Sequence, residues 1–136
     1  MNAPIVLDSF ALVSLFHREA GWEKTRDVLY QLDDRDAKAI LNIINWGEFY
    51  YIVRRRVGMR KAEEALALLD QLPIETVSVD DLLVREAAEI KSDRSVSYAD
   101  AFCIATAQRI GGQILTNDPE YESVQDLVSV LWLTPR

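Results

Sequence analysis

The sequence predicts an α/β fold in which a parallel sheet is flanked by helices. Short apolar, strand-like runs alternate with amphipathic, helix-like stretches along the chain, the order that builds parallel sheets. Asp8 and Asp118 closely follow two of the strand-like runs, Ile5-Val6-Leu7 and Ile114-Leu115 with Thr116-Asn117. Parallel strands would bring both acids to one sheet edge, where open α/β folds bind ligands. The length of 136 residues, with 49% hydrophobic and 27% charged residues, fits one globular domain spanning residues 1–136.

Pro4 to Leu7 form a short buried strand. Ser9 to Arg18 follow as a helix with Ala11, Leu12, Leu15 and Phe16 inward. Gly21 interrupts the chain, Trp22 to Leu32 form a second helix, and Leu32-Asp33-Asp34-Arg35-Asp36 form a polar turn. Ala39 to Ile43 form a strand. Asn45 to Val57 form a third helix, ended by Gly58. Arg60 to Leu72 form a fourth, stopped by Pro73. Ile74 to Val79 alternate as a strand does, and Asp80 to Lys91 are helical, with Leu82, Leu83, Ala87 and Ile90 inward. Tyr98 to Ile110 form an almost uniformly apolar, central helix that ends at Gly111-Gly112. Gln113 to Thr116 form a strand, a short helix starts at Pro119, and Val128 to Leu133 form the last strand.

The formal charge of −7, from 15 Lys and Arg against 22 Asp and Glu, argues against non-specific affinity for nucleic acid. Bound metal ions would supply positive charge locally. Cys103 is the single cysteine, which excludes an intrachain disulfide and a thiolate zinc cluster. Flanked by Phe102 and Ile104, it is expected to be buried and inert. No run approaches the ~18 apolar residues of a membrane span. With no signal peptide in view, a cytoplasmic protein is expected.

The chemistry lies in four acids near helix starts: Asp8, Glu48, Asp100 and Asp118. Each has a structural explanation. Asp8 and Asp118 suit helix caps, the latter before Pro119. Ser97 with Asp100, and Asn45 with Glu48, have capping-box spacing. Their conjunction suggests more. Trp46, Phe49, Ile52 and Val53 surround Glu48 in the sequence, and a carboxylate among them is costly unless paired or bound to metal. If the four converge, each pair at ~4–5 Å repels by roughly 3–4 kcal/mol at an effective dielectric of ~20. Hard divalent cations relieve such repulsion and suit phosphodiester chemistry.

The segments Val-Leu-Asp-Ser-Phe-Ala-Leu, Asn-Trp-Gly-Glu, Ser-Tyr-Ala-Asp-Ala-Phe and Leu-Thr-Asn-Asp-Pro-Glu-Tyr resemble the motifs of PIN-domain ribonucleases. Length and motif order resemble VapC, the toxin half of VapBC toxin–antitoxin pairs. The resemblance implies a five-stranded parallel sheet between helices and a Mg2+- or Mn2+-dependent endoribonuclease. Asp8, Glu48, Asp100 and Asp118 would then be the catalytic, metal-binding acids, with Ser9 and Thr116 as supporting hydroxyls. It further implies an RNA substrate, a homodimer, and a small VapB-like antitoxin lying along the first helices near Phe16, Trp22 and Tyr50. Asn117 stands where many members have glycine, and Asn tolerates unusual backbone angles.

Arg54-Arg55-Arg56 is the densest positive charge, and Arg55, seven residues after Glu48, is expected to return to its face and hold an RNA phosphate. Solvation of all three arginines, or attraction to the helix C-terminus, would explain them equally. A non-catalytic PIN-like module for RNA or protein is the main alternative. A phosphotransfer enzyme with an aspartyl phosphate at Asp8 lacks its companions: Phe10 stands where a second Asp would be, and no strand ends in lysine. His17 has no nucleophile partner in the sequence. Trp22, Trp46 and Trp132 are expected in the core, and Asp33, Asp34, Asp36 and Asp93 at the surface.

Overall fold

A computed structural model describes residues 3–136. Its five strands are all parallel, in the order β3-β2-β1-β4-β5. They are β1 (Ile5–Leu7), β2 (Ala39–Asn42), β3 (Ile74–Val77), β4 (Gln113–Thr116) and β5 (Ser129–Trp132). The helices are α1 (Ser9–His17), α2 (Trp22–Asp34), α3 (Ile43–Val57), α4 (Met59–Leu69), α5 (Asp81–Asp93) and α6 (Tyr98–Ile110). A 3-10 turn covers Pro119–Val124.

The central strand is buried on both faces, which is why it reads as an unbroken apolar run. Its period of two divides the core. Ile5 and Leu7 face one layer with Leu12, Leu29, Phe49, Val53 and Leu69, drawn from α1 to α4. Val6 faces the other with Leu83, Ala87, Phe102, Ile104 and Tyr121, from α5, α6 and the 3-10 turn. Leu7 pairs with both Leu41 and Leu115, so β1, β2 and β4 end side by side.

Several boundaries differ from the sequence reading. α3 starts at Ile43 because Asn42, at the end of β2, caps it: its side-chain oxygen accepts from the Ile44 N–H at 2.8 Å. Asn45 is therefore no cap. It lies buried inside the helix and donates to the Ala99 carbonyl at 3.1 Å, tying α3 to α6. α2 continues to Asp34 through part of the expected turn, whose acids are exposed all the same. α4 stops at Leu69 and β3 at Val77, since Asp80 caps α5 by accepting from the Leu83 N–H at 2.7 Å. Gly21, at φ +86°, is fixed by its neighbours, for a Cβ there would lie 2.7 Å from Leu133 Cβ. Among the described residues no helix is long and apolar enough to cross a membrane.

The tryptophans are half-buried rather than inside the core, with Trp46 and Trp132 packed against its edge. Trp22 carries the Arg18 and Arg26 guanidiniums at 5.0 Å each, Trp46 stacks on Tyr50, and Arg136 lies 4.0 Å over Trp132.

Candidate metal centre

Asp8 is the first residue beyond β1, and Asp118 lies two residues beyond β4. Because β1 and β4 are neighbours, their ends are bridged by one hydroxyl. Thr116 Oγ1 donates to Asp8 Oδ2 at 2.7 Å and accepts from the Asp118 N–H at 2.9 Å. Asp8 Oδ1 accepts from the Ala11 N–H at 3.0 Å, so Asp8 caps α1 while facing the site. Asp118 likewise caps the 3-10 turn, taking the Glu120 N–H at 2.9 Å. Both acids are therefore caps, and capping leaves their carboxylates close together at the sheet edge.

Asp100 enters from α6, whose cap is Ser97 accepting from the Asp100 N–H at 3.1 Å. The Asp100 carboxylate is thereby left for other work. Tyr121 donates to its Oδ1 at 3.0 Å, whereas Oδ2 is buried and receives no hydrogen bond. Asp8, Asp100 and Asp118 can each place an oxygen within 4.8 Å of the others. Glu48 lies outside that trio but lines a cleft of about 250 Å³ together with Asp100 and Asp118, and accepts a hydrogen bond from Ser9 Oγ. Ser9 and Thr116 thus each donate to one of the acids.

Burial is the main force on these groups. It raises Asp8 to about 7, against the hydrogen bonds from Thr116 and Ala11. It also raises Asp100, helped by the neighbouring Glu120 carboxylate and the charges of Asp8 and Asp118. Glu48 is raised by burial and, to a lesser degree, by Asp118. Asp8, Asp100 and Asp118, the first two buried and one Asp100 oxygen lacking any donor, could hold a hard divalent cation.

Three contributors were not anticipated from the sequence. Glu120 lines the cleft, and its nearness to Asp118 in the motif is the only sequence signal for it. Tyr121 is fully buried against Asp100; it closes the same motif, but nothing in the sequence points it at Asp100. Arg56 lines the cleft where Arg55 was expected. Four-residue steps from Glu48 through Ile52 reach Arg56, whereas the Arg55 guanidinium rests 5.1 Å over the Tyr51 ring. Asn117 also differs from expectation. Its backbone is not in the left-handed region; instead its Oδ1 accepts from the Thr134 N–H at 3.3 Å and hydroxyl at 3.1 Å.

Other candidates stand apart. His17 does not line the cleft, and Asp93 is exposed. Cys103 is buried beside the Leu7 carbonyl, and burial pushes its thiol well up, which makes it a poor nucleophile.

The profile of the PIN domain family matches residues 5–127. No curated protein matches the sequence. Among solved structures, VapBC2 from Rickettsia felis, bound to a DNA fragment from their promoter, superposes with a TM-score of 0.76 at 11% identity. That match covers 94% of this chain and 97% of the other. VapC20 from Mycobacterium tuberculosis, a Sarcin-Ricin loop cleaving toxin, gives 0.71 at 20% identity over 88% and 94% of the two chains. FitAcB from Neisseria gonorrhoeae gives 0.66 at 22% over 93% and 96%. These likenesses establish a shared fold. With the family match covering most of its length, this chain belongs to the PIN domain family.

Proposed function

We propose that this protein is a metal-dependent endoribonuclease and the toxin of a toxin–antitoxin pair, cleaving RNA phosphodiester bonds at Mg2+ or Mn2+. The observation that carries the reading is the buried, undonated Asp100 Oδ2, converging with Asp8 and Asp118 on the sheet edge. Asp8, Asp100 and Asp118 hold the cation, and Glu48, fixed by Ser9, adds a fourth carboxylate in the cleft that Asp100 and Asp118 line. A divalent ion there would supply charge for the scissile phosphate and lower the pKa of a bound water. Thr116 and Ala11 lock the Asp8 carboxylate in position before any ion arrives. No protein nucleophile is required.

The test is Mn2+ calorimetry with cleavage of a labelled RNA, in the wild type and Asp8→Asn. Saturable Mn2+ binding and cleavage, both lost in Asp8→Asn, are expected. RNA binding without cleavage would favour the non-catalytic PIN-like module, against which the intact acid set weighs.

The partner in this reading is a small VapB-like antitoxin. A cleft of about 670 Å³ between the first two helices and the end of α4 offers Phe16, Leu29, Tyr30, Leu68 and Leu72 to an apolar segment. Trp22 and Tyr50, also expected there, do not line it. The −7 charge suits a basic partner. The matched solved VapBC and FitAcB structures support this assignment by analogy of fold. A cytoplasmic homodimer completes the proposal. If the small protein encoded beside this gene fails to co-elute with it, the antitoxin assignment is wrong.

A further inference from the structure

We propose that Arg56 grips an RNA phosphate beside the metal centre, and that Glu19 holds Arg56 while no RNA is bound. The inference rests on the nuclease reading and adds the means by which an acidic cleft admits a polyanion. Among the described residues Arg56 is the only cation lining the cleft, against Glu19, Glu48, Asp100, Asp118 and Glu120. Cations bound at the acids compensate one phosphate; a neighbouring phosphate needs a positive group from the protein.

Arg56 has the right placement. With Glu48 and Ile52 it forms one stripe of α3 facing the cleft, about 12 Å along the axis from Glu48. The adjoining arginines are engaged elsewhere, Arg54 with the Tyr50 hydroxyl at 3.1 Å and Arg55 over Tyr51. The Glu19 contact is a single one, Nη1 to Oε1 at 3.4 Å, between half-exposed side chains. Such a pair contributes little and is readily exchanged. A phosphate offers the guanidinium two parallel, charge-assisted hydrogen bonds in its place. The exchange leaves Glu19 free in solvent.

The test is binding of a fluorescent single-stranded RNA with Ca2+ replacing Mg2+, measured across salt, beside Mg2+-dependent cleavage. Arg56→Gln should weaken binding about five- to tenfold at low salt, whatever the RNA sequence. Its log–log salt slope should shallow by about 0.7. Arg56→Lys should restore the slope but only part of the affinity. Glu19→Gln should tighten binding a few-fold. Arg85→Gln, paired with Glu89 on α5, is the control for net charge. Mn2+ affinity should be unaltered throughout. If the wild type cleaves RNA while Arg56→Gln keeps the wild-type slope, the Arg56 assignment is overturned and the nuclease reading stands. If the wild type neither binds nor cleaves RNA, both fall.

Discussion

The Tyr121 hydroxyl donates to Asp100 Oδ1 at 3.0 Å, and the other oxygen of that carboxylate is left buried and undonated. The phenol itself is fully buried. One residue from the 3-10 turn thus sets the orientation of a carboxylate carried by α6.

Tyr121→Phe should keep the fold and weaken Mn2+ binding. In the metal-bound state, with Asp100 ionised, the lost hydrogen bond goes to a charged acceptor, an interaction of about 1.5–3 kcal/mol, and without metal its removal raises Asp100 further. Mn2+ affinity should fall roughly tenfold near pH 6.5, with the gap narrowing at higher pH as Asp100 ionises. Calorimetry at two pH values decides it; equal affinities for the two proteins would show that Tyr121 only packs.

Metal-free stability should fall as pH rises from about 4 to 7. Asp8 has its carboxyl raised to about 7 from 3.8, so the folded state holds a proton that the unfolded state releases. The resulting stabilisation is complete below the unfolded value and is lost as pH passes through 7, about 4 kcal/mol from Asp8 alone. Urea melts in chelator at pH 4.5 and 7.5 should show the drop, and Asp8→Asn should reduce it, the part due to Asp100 and Glu48 remaining. A stability that rises over this window would contradict the assignment.

Glu48→Gln should abolish most cleavage without unfolding the protein. The amide oxygen still accepts from Ser9, and the charge that burial and Asp118 disfavour is gone. Metal-free stability should hold or rise, read by thermal melting, while turnover of RNA collapses. Wild-type turnover in this variant would remove Glu48 from the site.

Asn117→Gly should loosen the loop that carries Asp118. The substitution removes the acceptor shared by the Thr134 amide and hydroxyl, leaving the Arg136 contact to the Asn117 carbonyl at 2.8 Å and the Leu133 N–H to the Thr116 carbonyl at 3.0 Å. A loss of roughly 1–2 kcal/mol in stability is expected from the lost hydrogen bonds and added backbone freedom. Denaturant midpoints measure it, and hydrogen exchange at residues 116–120 should rise; unchanged protection would show that the tie is dispensable.

The fold, and the meeting of Asp8 and Asp118 at one sheet edge, were legible in the sequence because both rest on local signals. Apolar runs such as Ile5-Val6-Leu7 and Gln113 to Thr116 announce buried parallel strands, and an acid just past such a run belongs at the sheet edge. The start of α3 differs from the sequence reading, which places Asn42 inside a strand and the cap at Asn45. Asn42 took it, aided by an amide that also reaches Thr106 on α6, 64 residues away. That bond does not exist at the level of sequence.

Tertiary structure alone decided how the site is finished. Neighbouring strand ends let the Thr116 hydroxyl join Asp8 and Asp118, and the packing of the 3-10 turn on α6 put Tyr121 against Asp100. It also chose Arg56 over Arg55, since a helix turning 3.6 residues at a time returns near both seven and eight residues. The sequence determined which chemistry is present, because residue type and strand-end position are local properties. Only the folded chain decided which oxygen stays undonated and which guanidinium faces the acids, because both depend on contacts between distant segments.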